Sequence, residues 1–401
     1  MIFPSRTKLK KGKSVKVVAD FSFSKPTSGK IVTKDCGNVK LINGLKDAGG
    51  FIPKDSGVFQ YMPGPNGQQS TLTSAGLTVG SKLYTQFVNC KKSCWAFDAN
   101  NNALVVCGNN TTYRIANNFI QKIFAEAFDS ITFCQSRLFG LKGNRVHWSL
   151  AAVLDFLDGF WVDLPTPCVT LVDNGELYAI GNDVYKIQPE GEDSNFVVSK
   201  ICSNVGNVQR ETACAYGKKI LFVADGKICT LQHGYIKELA TVSVQNAFAT
   251  MHCGLYYLFG DLAGKKVAIA YNPHSGKVVY RYDISAQTVY SDGDNLYVTD
   301  GQNGYVLTYD TQPSYWKSQP INFDDGLATM YLHRLLIQTS YDVNVTVTSD
   351  QVRNYSLKGK DGVQSLLIAG HGKNITVDVC ANGKMNVQML SVTARTSEVS
   401  L

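Results

Sequence analysis

The chain contains no stretch approaching 18 consecutive apolar residues, so it offers no candidate for a membrane-spanning helix. Its first residues, MIFPSRTKLKKGKSV, lack the apolar core of a secretory signal. Charge is also scarce, at 18% of residues against 44% apolar, which excludes global disorder and allows a substantial core. The phosphate-binding G-x-x-x-x-G-K-[ST], the zinc-binding H-E-x-x-H, the G-x-S-x-G elbow and the EF-hand loop are all missing. The six histidines stand singly at positions 147, 233, 252, 274, 333 and 371. No catalytic residue, cofactor or metal site is therefore assigned, and no enzymatic activity is expected.

Cysteine is present but unpatterned. Eleven residues are scattered, an odd number, and only Cys90 and Cys94 lie close together. Their C-K-K-S-C spacing is that of neither a zinc ribbon nor a thioredoxin motif. Without an export signal, the expectation is reduced, mostly buried thiols in a chain folded in a cytoplasm. The sequons at Asn110, Asn344, Asn354 and Asn374 then carry no weight. Adjacent His252 and Cys253, if they lie in a strand, point to opposite faces.

What the chain does have is 20 Tyr, 19 Phe and 35 Gly, the mixture that short strands joined by tight turns require. A weak internal repeat organises them. Its copies read ALVVCGNNTTYRI from Ala103, SRLFGLKGNRVHWS from Ser136, GELYAIGNDVYKI from Gly175 and KKILFVADGKICTL from Lys218. They continue as GLYYLFGDLAGKKVAIAYN from Gly254 and NLYVTDGQNGYVLTYD from Asn295. Taking Leu104, Leu138, Leu177, Leu221, Leu255 and Leu296 as markers, the spacings are 34, 39, 44, 34 and 41 residues. These cluster near the roughly 40–45 residues of a four-stranded propeller blade.

Each copy reads as a hairpin, because Gly108-Asn109, Gly143-Asn144, Gly181-Asn182, Asp225-Gly226 and Asp300-Gly301 tolerate the positive φ of tight turns. The competing reading, a sandwich with coincidental spacing, must explain six copies of one hairpin type. The fold class expected is all-β: a β-propeller of about six blades (five to seven), followed by a C-terminal antiparallel β-sandwich. A first blade between Gly57 and Tyr84 is poorly marked, and one blade closed by strands from both ends of the propeller is expected. Ala116–Phe128, with Ile120, Ile123, Phe124 and Phe128 at helical spacing, reads as a short helix or as a blade's outer strand. Leu150–Leu157 reads as a single helical turn.

Two prolines and polar residues at Asp310–Pro320 mark a boundary. Beyond it the alternation is cleaner, with Val343, Val345 and Val347 opposed to Asn344, Thr346 and Thr348. Ile375, Val377 and Val379 repeat the pattern, as do Val387 and Met389. The expected domains are residues 1–50, a basic N-terminal arm and extended segment, 51–315, the propeller, and 316–401, the sandwich.

Asp173, Asp225, Asp292 and Asp300 lie near blade turns. Glycosidase propellers need paired carboxylates across a channel, but a turn former bonding its own backbone is the simpler reading. The same applies to a calcium site at Asp292-Gly293-Asp294. The repeated S-x-D-x-G-x-T-W boxes of sialidase propellers and the G-H…W-D signature of WD40 repeats are both missing.

The net charge of +7 is a mild bias, unevenly placed. Arg6, Lys8, Lys10, Lys11, Lys13 and Lys16 form a candidate interaction arm. It reads either as a solvated tail or as a contact for acidic protein or DNA, gaining affinity by counterion release.

The most specific string is SRLFGLKGNRVHWSLAAVLDFLDGFWVDL, Ser136 to Leu164. Its Arg137-Leu138-Phe139, Gly143-Asn144-Arg145-Val146, Trp148-Ser149 and Asp155-Phe156 steps resemble a motif of β-propeller proteins in tailed-bacteriophage particles. The usual D-P before that Phe is missing. The order of arm, propeller and sandwich resembles the packaged-DNA stabilisation and tail accessory proteins of short-tailed phages. The resemblance implies a non-enzymatic virion structural protein of the neck, tail or tail tip, assembled in the host cytoplasm. It would dock other virion proteins as a cyclic homo-oligomer. The alternatives are a receptor- or glycan-binding tail adhesin and, behind it, a divergent propeller hydrolase. Arg145 and Trp148 are read as blade packing.

Overall fold

The structure, a computed structural model, describes residues 45–46, 50–308 (without 101, 190–194 and 275), 314–317, and 329–397 (without 383–385). The basic arm from Arg6 to Lys16 lies outside the described residues. No α-helix occurs among the described residues, and antiparallel strands carry the chain.

Seven four-stranded sheets follow one another. Blade one consists of Val58–Pro63, Gln69–Thr73, Gly76–Val79 and Lys82–Tyr84, and blade two of Cys94–Asp98, Ala103–Gly108, Thr111–Ala116 and Phe119–Phe124. Blade three takes Ser130–Cys134, Arg137–Lys142, Arg145–Ser149 and Phe156–Asp163. Blade four takes Cys168–Asp173, Leu177–Gly181, Val184–Pro189 and Phe196–Cys202. Blade five has Cys214–Tyr216, Lys219–Ala224, Lys227–Gln232 and Tyr235–Thr241, and blade six Gln245–His252, Leu255–Leu262, Lys265–Asn272 and Lys277–Tyr282. Blade seven combines Thr288–Ser291, Leu296–Thr299 and Asn303–Thr308 with an outer strand, Gly50–Ser56, taken from before blade one.

This is a β-propeller of seven blades, within the expected range and one more than the repeat counted. The six repeat copies are the central hairpins of blades two to seven. Blade one has its own hairpin, Gln69–Val79, whose buried Ser70 lies so close to Gly64 that a Cβ there would run into its hydroxyl.

The blades explain the continuous apolar runs. In Ala103–Gly108 all six residues are buried, because the strand has a neighbouring blade on each side. Leu104 and Val106 join Met62, Leu72 and Leu77 of blade one, while Ala103, Val105 and Cys107 join Ile131 and Leu138 of blade three. The same period-two division sends Leu177 and Ala179 toward blade three, and Tyr178 and Ile180 toward blade five. Each fully buried Val, Leu or Phe contributes about 1.5–3 kcal/mol relative to exposure.

Closure of the ring is both polar and aromatic. Gly57 N–H donates to Gln302 O at 2.6 Å, and Thr299 Oγ1 donates to Phe59 O at 2.7 Å. Lys54 Nζ sits 4.4 Å above the Tyr297 ring and 5.1 Å from the Tyr61 ring, while Tyr61 OH donates to Asp55 at 2.8 Å. Tyr61 reaches this place only because residue 304 is glycine, whose missing Cβ leaves room for the phenol.

Of the two readings of Ala116–Phe128 the outer strand holds, and Leu150–Leu157 differs from expectation. Phe119–Phe124 is the outer strand of blade two. A bulge between Lys122 and Phe124 breaks its alternation, and this gave the apolar residues their helical spacing. Leu150–Leu157 makes no helical turn: Ala152 and Leu154 have φ of 61° and 65°, forming a loop that buries Leu154 before the strand starts at Phe156.

The chain divides into two compact units, one of Phe51–Lys277 with Asp283–Leu307, the other of the described residues from Thr308 onward with Leu45–Lys46, Gly50 and Val278–Tyr282. In the second unit Val343–Thr348 pairs with Val352–Leu357 on one side and Thr376–Ala381 on the other, with Ser314–Lys317 beyond. Another antiparallel sheet is centred on Thr329–Thr339, paired with Asn386–Ser397 and Lys360–Leu367. Leu45–Lys46 adds to its edge through Val387 and Asn386. Val343, Val345, Val347, Val377 and Val379 share one buried cluster with Leu335, Ile337, Leu390 and Val392. The inward face expected from Val387 onward is displaced by a bulge after that residue, so Leu390 and Val392 are the buried positions.

Candidate functional site

The first strands of six blades line a central cavity of about 500 Å³. Gln60, Trp95, Ile131, Thr170, Phe248 and Val289 all reach it, from six of the seven blades, and Ala213 reaches it from the approach to blade five. A neighbouring polar depression of about 820 Å³ opens at Gln209–Glu211 and Ser243–Phe248. Four charged side chains meet where the two join.

Each is placed by a local device. Lys92 lies in the linker entering blade two. The buried Gln60 side chain grips that linker like a strand partner, accepting from Ser93 N–H at 2.7 Å and donating to Ser93 O at 2.9 Å. Arg210 and Glu211 project from a turn before the short first strand of blade five. Thr212 fixes that turn, its hydroxyl donating to Gln209 O at 2.6 Å and accepting from Val223 N–H at 2.9 Å. Ala249 N–H donates to Glu211 O at 2.8 Å, tying the turn to blade six. Asp129 enters blade three and accepts from Gly143 N–H at 2.9 Å.

The charges then cross the ring in pairs. Lys92 Nζ meets the Glu211 carboxylate, donates to Gln287 O of the linker into blade seven at 3.3 Å, and lies 5.5 Å from the Phe248 ring. Arg210 stands 3.7 Å from Asp129. Two cations and two carboxylates thus balance each other, and this arrangement links blades that are distant in sequence. It is a set of ties across the cavity. Such half-exposed pairs add about 0–1 kcal/mol each, so orienting the linkers is their larger effect.

The residues singled out in the sequence are not gathered here. Asp173, Asp292 and Asp300 bond their own turns, accepting from Gly175, Asp294 and Gln302 N–H respectively, at 2.9 Å each. Asp225 does more than form its turn. It accepts from Asn207 N–H at 3.0 Å and so anchors the preceding linker. Among the described residues, no group of three or more His, Cys, Asp and Glu is placed to hold a metal. His252 ends a strand and Cys253 begins the turn at φ 47°, so they are not on opposite faces: Cys253 Sγ lies 3.5 Å from His252 Nε2. His252 Nδ1 lies 2.9 Å from Ser291 Oγ, and burial holds its pKa below the ordinary imidazole range. Burial does the same to His147, beside Phe124 and Phe128.

The conspicuous Ser136–Leu164 string is spent on blade three. Arg137 is buried and donates through Nη1 to Ser149 O at 3.0 Å, while Ser149 Oγ accepts from Leu138 N–H at 2.9 Å. Trp148 joins the cluster between blades three and four. Arg145 forms a bidentate pair with Asp163 at 2.7 and 3.0 Å and stacks 3.6 Å from the Trp161 ring. The Asp163 hydrogen bonds raise the Arg145 pKa, and the same bonds lower that of Asp163.

Lys92, Gln60, Asp129, Arg210 and Glu211 went unnoticed in the sequence. The pairing of Cys94 had a visible signal. Asn100–Asn102 is turn chemistry, and a hairpin centred there sets Cys94 opposite Cys107, as the register shows. All ten described cysteines are free thiols. Burial pushes Cys134, Cys168 and Cys214 up to about 12.

The fold defined by these sheets is that of β-propeller proteins. The WD40 domain of Neurospora crassa Pan2 is similar, with a TM-score of 0.45 and 10% identity over 68% of this chain and 96% of that one. A gluconolactonase from Xanthomonas campestris is similar at 0.37 and 8%, over 70% of this chain and 98% of its own. No protein-family model matches the sequence, and no curated protein is significantly similar to it.

Proposed function

We propose that the chain is a non-enzymatic docking protein, a structural component of a tailed-phage particle that binds neighbouring virion proteins as a member of a symmetric ring. The observation that carries this reading is how the charges of the central cavity are used. Lys92, Glu211, Arg210 and Asp129 pair with one another across the cavity and tie the linkers of four blades together. A closed ring held in this way is a rigid support whose loops can differ between blades and meet unlike neighbours. The Ser136–Leu164 resemblance supports the phage assignment. The basic arm from Arg6 to Lys16 is the segment suited to an acidic neighbour or DNA.

Quantitative mass spectrometry of purified particles tests the reading by counting this chain against the major capsid protein. A fixed small number of copies per particle, as cyclic assembly requires, is the expected result. Absence from particles overturns it. A glycan array that lit up would favour the adhesin reading, with exposed aromatics such as Tyr235 and Trp161 stacking on sugar rings.

A further inference from the structure

We propose that Cys94 and Cys107 form a dithiol site at the wall of the central cavity, which a peroxide oxidises to a cross-strand disulfide. The two residues are directly opposed on the first and second strands of blade two. Cross-strand neighbours hold their Cβ atoms about 4.5–5.5 Å apart, and a disulfide needs about 3.5–4.5 Å, so closure asks for a small adjustment only. Both residues line the 500 Å³ cavity, which gives a small oxidant a route to them. Cys94 is half-buried and Cys107 buried, with Cys107 Sγ 3.4 Å from Thr112 Oγ1.

The pair also differs from the other thiols in its chemistry. A hydrogen bond from the Cys94 thiol holds Cys107 below the ordinary thiol range, and that same bond holds Cys94 above it. Cys134, Cys168 and Cys214 have no such partner and stay protonated through burial. In the reaction, the Cys107 sulfur attacks one peroxide oxygen. The O–O bond breaks, one water leaves, and Cys107 becomes a sulfenic acid. The Cys94 sulfur then attacks the Cys107 sulfur, the S–O bond breaks, and a second water leaves. Two thiols have lost two hydrogens and one hydrogen peroxide has become two waters.

The site can be read in a single tryptic peptide, because no Lys or Arg lies between Ser93 and Arg114. The full-length protein is treated with a few equivalents of hydrogen peroxide, quenched, unfolded in iodoacetamide and digested. The expected Ser93–Arg114 peptide has lost two hydrogens and both alkylation sites, and dithiothreitol restores them. Peptides carrying Cys134, Cys168 and Cys214 stay alkylated. Closure in the folded chain should be about tenfold or more faster than in urea, since fixed opposition raises the effective concentration of one thiol at the other. The C107S variant should leave Cys94 alkylated. The proposal is overturned if the peptide keeps both alkyl groups under conditions that oxidise the exposed Cys253. Cys94 joined to Cys90 instead, or equal rates folded and unfolded, would also overturn it.

Discussion

The two units use the same element, the antiparallel strand, under opposite burial rules. In Lys219–Ala224 of blade five, Ile220 to Ala224 are all buried, because packing between blades covers both faces. In Val343–Thr348 only the valines are buried, and Asn344 on the opposite face is exposed. A run of apolar residues and a clean alternation are therefore two answers to one question: how many faces of the sheet are covered. Counting parity in the sequence estimates the number of neighbours a strand will have.

Substitution by parity is the most severe test of that contrast. Phe222→Ala and Leu221→Ala, pointing opposite ways in blade five, should both cost about 2–5 kcal/mol in urea unfolding. Val345→Ala should be costly in the second unit, whereas Asn344→Ala should stay within about 0.5 kcal/mol. A harmless Leu221→Ala would break the comparison. A smaller effect is expected at ring closure. Gly304→Ala would place a Cβ against the Tyr61 phenol and should cost about 1–3 kcal/mol, a loss that the double variant with Tyr61→Phe partly recovers.

The smallest effect is on pH dependence and belongs to the blades. His147 and His252 are held below the ordinary value of 6.5 by burial, so the unfolded chain binds more protons than the folded one below that pH. Their contribution is complete above about 6.5 and is lost as pH falls from there toward their folded values. Thermal midpoints between pH 7.5 and 5 should fall accordingly, and the slope should flatten in H252Q. The lowered carboxylates, Asp163 and Asp183 among them, act from about 3.8 downward, a separate window.

The blades were legible because six central hairpins repeat one solution to burial on both faces. Blade one was only poorly marked because its hairpin carries Ser70 and Thr71 where the other copies carry large apolar residues. The outer strand Phe119–Phe124 was ambiguous because its bulge imitates helical spacing. The cavity was the least legible part. Lys92, Asp129, Arg210 and Glu211 lie in three linkers up to 119 positions apart, and no local pattern records that the ring brings them together. The Cys94–Cys107 pairing was within reach, since it follows from one hairpin turn.

The outer strand of blade seven sets a timetable for the molecule's birth. Gly50–Ser56 emerges from the ribosome early, but its partner Asn303–Thr308 follows some 250 residues later. At about 5–20 residues per second, that is on the order of tens of seconds during which an edge strand has no mate. Blades one to six can accumulate meanwhile as an open arc, each covering the last, with the ring sealed only by the final hairpin. A chain stopped short of Asn303 would keep both open edges, the form in which one molecule can lend its strand to another.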